Sequence, residues 1–262
     1  DSDVGGQIEF HAENDADEKI AYAKIRIKTA DVSDGTEDGT LAIQTITAGS
    51  NRNRFNIQAA ETVINEDSRD LDFRVESDQN THRLFLDAGE DKVLLGTTAS
   101  RNLSGVTPAL FQEGTSYDLA SLGLVANTNA ANGAYLFIGS SRGTSNGSST
   151  VLQNGDQIGG IYFQGADGTD MQTAAGYIDC IIYGDPGSND MPGAIRFFTT
   201  PDGSGTPTEK MRIMPSGGIT FNADTSVNNA LDDYEEGTWT PGSLTGTIGT
   251  ISHANYTKIG RL

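Results

Sequence analysis

The most regular feature of the chain is an alternation of apolar and polar positions with a period of two, broken at short intervals by Gly, Asp, Asn or Pro. In Ala21-Tyr-Ala-Lys-Ile-Arg-Ile-Lys28, Ala23, Ile25 and Ile27 fall on one side and Tyr22, Lys24, Arg26 and Lys28 on the other, because successive side chains of a strand point to opposite faces. The same pattern marks Gly159-x-Ile161-x-Phe163, Tyr177 to Ile182, Gly193-x-Ile195-x-Phe197-x-Thr199, Lys210 to Ile213 and Ile219 to Phe221. No stretch shows the spacing of a long amphipathic helix. Pro186, Pro192, Pro201, Pro207 and Pro215 lie between these runs, where a missing N–H costs the ladder nothing. One helical turn is expected within Asn228 to Gly237, with Gly237 past its end. The predicted class is all-β.

The runs repeat, and repetition on this scale decides architecture before anything else. Gly6-x-Ile8-x-Phe10 matches Gly159-x-Ile161-x-Phe163, Tyr22 to Ile27 matches Tyr177 to Ile182, and Gly39-x-Leu41-x-Ile43-x-Thr45 matches Gly193 to Thr199. Arg54 to Ile57 with Val63 to Asn65 matches Lys210 to Ile213 with Ile219 to Phe221. The repeat spans five strands, and the chain as a whole is read as five blocks. Residues 1–65 form β module one, 66–100 a β meander, 101–118 a linker, 119–222 β module two, and 223–262 a further linker with the start of a C-terminal β domain. In module two, Leu119 to Val125, Ala134 to Ile138 and Thr150 to Leu152 are also read as strands. Asp3-Val-Gly-Gly aligns with Asp156-Gln-Ile-Gly, so module one lacks counterparts for the last two. We therefore expect a longer parent chain or a neighbouring subunit to supply them, since a bare strand edge invites pairing.

Hydrophobic residues make up only 35% of the chain and Gly numbers 32, a thin endowment for a monomer core. Strict alternation separates the sequence from a disordered one, and association with further copies would cover the shortfall. A core or intersubunit seam is predicted from Ile161, Phe163, Ile178, Ile182, Ile195, Phe197, Ile213, Ile219 and Phe221. Ile8, Phe10, Ile25, Ile27, Leu41, Ile43 and Ile57 are the equivalents in module one. The net charge of −19 repels nucleic acid and anionic membrane surfaces alike, and no apolar run is long enough to span a bilayer.

The search for chemistry returns no catalytic, cofactor or metal residues. His11, His82 and His253 stand apart without partners at zinc-ligand spacing. Asp31 to Gly39, and the loops with Gly168, Asp170, Asp185 and Asp190, fail the ligand spacing of a calcium loop and read as turns. Cys180 sits within an alternating strand as an apolar thiol. Lys24, Arg26 and Lys28 are expected to pair with carboxylates across strands. Trp239, the single Trp, with Tyr234 and Tyr256 is the one aromatic group placed to stack on a glycan; packing at a domain entry is the plainer role.

Ser140-Ser-Arg-Gly-Thr-Ser-Asn-Gly147 and Asn154 to Asp170 resemble a module common in tail fibres and other appendage proteins of tailed bacteriophages. Asn189 to Thr199, Thr208 to Gly218 and Val93-Leu-Leu-Gly-Thr-Thr98 are similar to further parts of it. Leu231 to Pro241 with Tyr256-x-Lys-Ile-Gly260 looks like the entry to a C-terminal β domain seen in marine phage fibres. Met214-Pro-Ser-Gly-Gly218 departs from the family pattern at a turn, and the self-cleaving chaperone domain of many such fibres has no counterpart. The resemblance implies repeated antiparallel β modules, sandwich or prism-like, in an elongated homotrimeric virion fibre. Its implied partners are its own copies, other virion proteins, and a host surface glycan or receptor. A polysaccharide-degrading tailspike and a capsid head fibre or decoration protein are the alternatives.

Overall fold

A computed structural model describes residues 3–232, 234–238 and 255–259. The chain divides into two compact units, residues 1–100 with 108–122 and residues 101–107 with 123–262. The first contains a five-stranded antiparallel sheet in sequence order, β1 (Val4–Glu13), β2 (Lys19–Asp31), β3 (Asp38–Thr47), β4 (Ser50–Ile57) and β5 (Thr62–Ile64). It also holds a four-stranded sheet of β6 (Phe73–Ser77), β7 (Asn80–Asp87), β8 (Lys92–Leu95) and β9 (Leu110–Gln112). The second unit carries another five-stranded meander, β10 (Gln157–Gln164), β11 (Ala174–Ile182), β12 (Gly193–Thr199), β13 (Thr208–Ile213) and β14 (Ile219–Phe221). A two-stranded ribbon, β15 (Tyr234–Thr238) and β16 (Asn255–Ile259), belongs to it as well.

The two meanders share register as well as order. Across the first, Ile8, Ile25, Ile43, Phe55 and Ile64 stand opposite one another in turn; across the second, Ile161, Ile178, Phe197, Met211 and Phe221 do so. The sequence-based alignment needs two corrections. Ile178 is the counterpart of Ile25, not of Ala23, and Phe221 is the counterpart of Ile64, not of Asn65. The first is a slip of two residues, which preserves the face. The second is a slip of one, which reverses it.

Turn chemistry follows the backbone. Between β3 and β4, Ala48 (φ 48°) and Gly49 (φ 74°) form a two-residue loop, and positive φ at both positions is the type I′ geometry that suits the twist of a hairpin. The segment read as a linker contributes β9, which runs parallel to β8 and is joined to it by Val93 N–H donating to Ala109 O at 2.8 Å. From Glu113 to Asp156 the chain forms no strand. The readings of Leu119 to Val125, Ala134 to Ile138 and Thr150 to Leu152 as strands are therefore not met: these segments pair with none of the described strands. The expected helical turn is a short 3-10 turn at Val227–Asn229.

Burial within one chain is sparse. Among the described residues, Leu94, Ile182, Ala194 and Thr220 are the best-covered side chains. Of the nine residues predicted for module two, only Ile182 is fully buried (0% exposed), and Ile178, Phe197 and Ile219 are half-buried. Ile161, Phe163 (57%), Ile195, Ile213 and Phe221 are exposed in the single chain, so of the two readings, core or intersubunit seam, the core of one chain does not take them in. They lie on a sheet face that, among the described residues, Ile138 covers only in part. Module one repeats this, with Ile8, Phe10 (52%), Ile25, Ile27, Ile43 and Ile57 exposed.

Candidate functional site

Each meander has one apolar and one polar face, and the site to be explained is the apolar one. In the second unit the face is built in cross-strand rows: Ile161, Ile178, Phe197, Met211 and Phe221 form one, and Gly159, Cys180, Ile195, Ile213 and Ile219 the next. None of these residues ionises near neutrality. Cys180 is half-buried there, and burial, with the neighbouring Asp179 charge, holds its thiol above the ordinary value, the state of an inert apolar cysteine. Gly159 leaves a notch in the row, and Ile138 fills it. A methyl on Gly159 would overlap Ile138 Cγ2.

The opposite face of the same sheet carries charge. Arg196 donates to Asp179 through Nε (2.9 Å) and Nη2 (2.6 Å), and Gln157 Nε2 donates to Asp179 at 2.9 Å. Arg212 donates to Glu209 through Nε (2.9 Å) and Nη2 (2.7 Å). Asp179 is 3% exposed, and a buried carboxylate is tolerated where paired, bidentate donors replace water. The hydrogen bonds to Asp179 and Glu209 raise the pKa values of Arg196 and Arg212 respectively, so both stay cationic. Beside them Tyr162 stacks on Tyr177 (4.8 Å between ring centres) and Tyr177 on Phe198 (4.1 Å), with Arg196 over the Phe198 ring. Sequence reasoning did not single out this cluster. The signal was present, since acidic and basic residues occupy the alternate positions of strands whose other positions are apolar.

In the first unit the corresponding polar face is assembled differently. Lys24 Nζ lies 2.7 Å from Glu9, the cross-strand pairing expected for that cation, and Gln44 Nε2 donates to Asn53 Oδ1 at 2.7 Å. Arg26 Nε, Gln44 Oε1 and Asn56 Oδ1 are buried without a partner.

Asp31 accepts from Ser33 N–H at 2.8 Å and Thr36 Oγ1 at 3.2 Å, and Asp167 accepts from Thr169 and Asp170 N–H. The backbone donors lower both carboxyl pKa values, as turn-capping does. Among the described residues no group of three or more His, Cys, Asp or Glu could hold a metal. His11 contacts Glu9, and His82 meets Phe85 edge-on; His253 lies outside the described residues. Trp239 also lies outside them. The ribbon register sets Tyr234 opposite Ile259 and Tyr256 opposite Gly237, so the two tyrosines are not a cross-strand pair.

No protein-family model and no curated protein matches the chain. Among solved structures, the chain is similar to the carboxy-terminal domain of the bacteriophage T5 L-shaped tail fibre, at 14% identity and a TM-score of 0.43 over 95% of this chain and 89% of that one. A second structure, of that domain with its intramolecular chaperone domain, aligns at 14% identity and a TM-score of 0.44 over 96% of this chain and 62% of that one.

Proposed function

We propose that this chain is a structural segment of a tailed-phage virion fibre that assembles as a homotrimer through the apolar faces of its two meanders and serves attachment to the host surface. The observation that carries the reading is the open apolar face, present twice in the same register. A face of Ile and Phe side chains this extensive costs free energy in water, about 25 cal/mol for each Å² of apolar surface, and a soluble protein keeps it only where another surface covers it. The sequence resemblance to phage appendage modules supplies the context, and the acidic surface keeps the assembly soluble. The role is mechanical and adhesive rather than catalytic.

Light scattering on the purified chain tests the assembly, with a mass of three chains expected; a stable monomer removes the proposal's basis. Immunogold labelling of intact virions tests the location. Gold on the tail fibres is expected, whereas gold confined to the head would make this a capsid decoration protein.

A further inference from the structure

The stretch between β9 and β10 has a property the two sheets do not explain. From Leu119 to Ser141 it carries no Asp, Glu, Lys or Arg, in a chain of net charge −19. Structureless connections of such length are uncommon within compact units and are functional or disordered when they occur. Disorder fits poorly here, because Tyr135, Leu136, Phe137 and Ile138 are consecutive large apolar residues.

The geometry gives this arm two sides. Ile138 turns onto its own sheet, filling the Gly159 notch beside Ile161, Ile178, Cys180 and Ile195. Tyr135 and Phe137 bring their rings within 5.7 Å of each other and stand clear of the chain, 60% and 87% exposed. A backbone segment apolar on both sides is the mark of an element buried between two surfaces, and one surface is already present. We propose that the other is a second copy of this chain. In the assembly, Tyr135 and Phe137 of one subunit cover the apolar face of the second-unit meander in its neighbour, so that the arm is clamped between two subunits. Electrostatics favours a like copy as the occupant: subunits this acidic repel one another over most of their surface, and both the arm and the face it would meet are free of charge. The inference rests on the trimer reading and adds the element that interlocks it.

Two tagged forms of the whole chain decide it. One carries Phe137→Cys with Cys180→Ala, and the other Ile195→Cys with Cys180→Ala, placing its one cysteine at an exposed position of the apolar face; they are co-expressed and treated with a short bis-maleimide. A covalent product bearing both tags is expected. Assembled material in which both tags co-purify without that product overturns the arm's placement while leaving the trimer standing, and a monomer by light scattering overturns both. The double variant Tyr135→Ser/Phe137→Ser gives a second readout. Its circular dichroism should match the parent, since neither ring is covered in a single chain, and its association should weaken about tenfold or more, about 1.4 kcal/mol. Unchanged association overturns the inference.

Discussion

Phe10 and Phe163 hold the same place in two copies of one sheet. Each is the last residue of its first strand to pair in register before a bulge, Phe10 opposite Ala23 and Phe163 opposite Gly176. The second bulge is shared too: register breaks after Ile43 in one sheet and after Phe197 in the other, leaving Arg54 and Lys210 as the extra residues. Bulges bend a strand and increase its twist, so the two sheets bend at corresponding places.

As the seam of the proposed homotrimer, the apolar face should tolerate polar substitution in the single chain and not in the assembly. Phe163→Asp is expected to leave the circular dichroism unchanged and to shift the light-scattering mass to that of one chain, with a loss of about 2 kcal/mol or more per subunit for an aromatic anchor of an interface. A variant that keeps the mass of three chains would remove Phe163 from the proposed seam.

The buried pair behaves in the opposite way. Removing Arg196 strands the Asp179 carboxylate, 3% exposed, and breaking a buried ion pair from one side costs about 3–5 kcal/mol. Arg196→Ala should lower the denaturation midpoint of the second unit sharply. The double variant Asp179→Leu/Arg196→Leu, which leaves no charge behind, should recover most of the loss; chemical denaturation of the three proteins checks both statements.

How much of this was legible in the sequence depends on what a period of two can encode. Alternation identified the strands of both meanders and which residues share a face. It could not distinguish Ile178 as the partner of Ile25 from a pairing two residues away, because such a slip leaves every side chain on its side. The last strands, Thr62–Ile64 and Ile219–Phe221, are too short for alternation to fix their alignment at all. Strand β9 was illegible for another reason: its pairing with β8 is a backbone matter, and Leu-Phe-Gln carries no pattern. The Asp179–Arg196 pair required knowing which strands were neighbours, which alternation does not say.

At the β3–β4 hairpin, Ala48 occupies a left-handed conformation (φ 48°) that costs a residue with a Cβ about 1–2 kcal/mol. Asn tolerates it, and Asn-Gly is the favoured type I′ pair. Ala48→Asn should stabilise the first unit by about 0.5–1 kcal/mol, whereas Gly49→Ala, at φ 74°, should destabilise it by a similar amount or more. Thermal unfolding of the two variants is the measurement.

Acid should act through Asp156. Its carboxylate accepts from Arg142 Nε and Nη2, each at 2.6 Å, and that pairing, aided by Gln153 N–H, depresses its pKa from 3.8 to about 2. A depressed folded-state value contributes stability above the unfolded value and loses it as pH falls through the folded one. The contribution is thus intact above pH 4 and disappears between about 4 and 2. Carboxyl NMR of Asp156 should show the low value, and Arg142→Ala should return it toward 3.8; an unmoved titration would contradict the assignment of Arg142 as the cause.

The aromatic ladder offers the sharpest test that the two sheets are one design. Tyr162, Tyr177 and Phe198 occupy the positions that Glu9, Lys24 and Gln44 hold in the first meander, by cross-strand register. One set is stacked rings; the other is an ion pair at 2.7 Å with an adjoining amide. Each is coherent alone, and mixtures are not. Tyr177→Lys should be destabilising, since it removes both stacking contacts of the central ring, each of about 0.5–1.5 kcal/mol beyond burial. Adding Tyr162→Glu supplies the cross-strand carboxylate, a pair of about 0.2–1 kcal/mol, so the double variant should be more stable than the sum of the single effects. A double-mutant cycle by chemical denaturation reads the coupling directly. Strict additivity would mean that the two positions do not interact across the strands, and the equivalence of the two polar faces would then be one of position only.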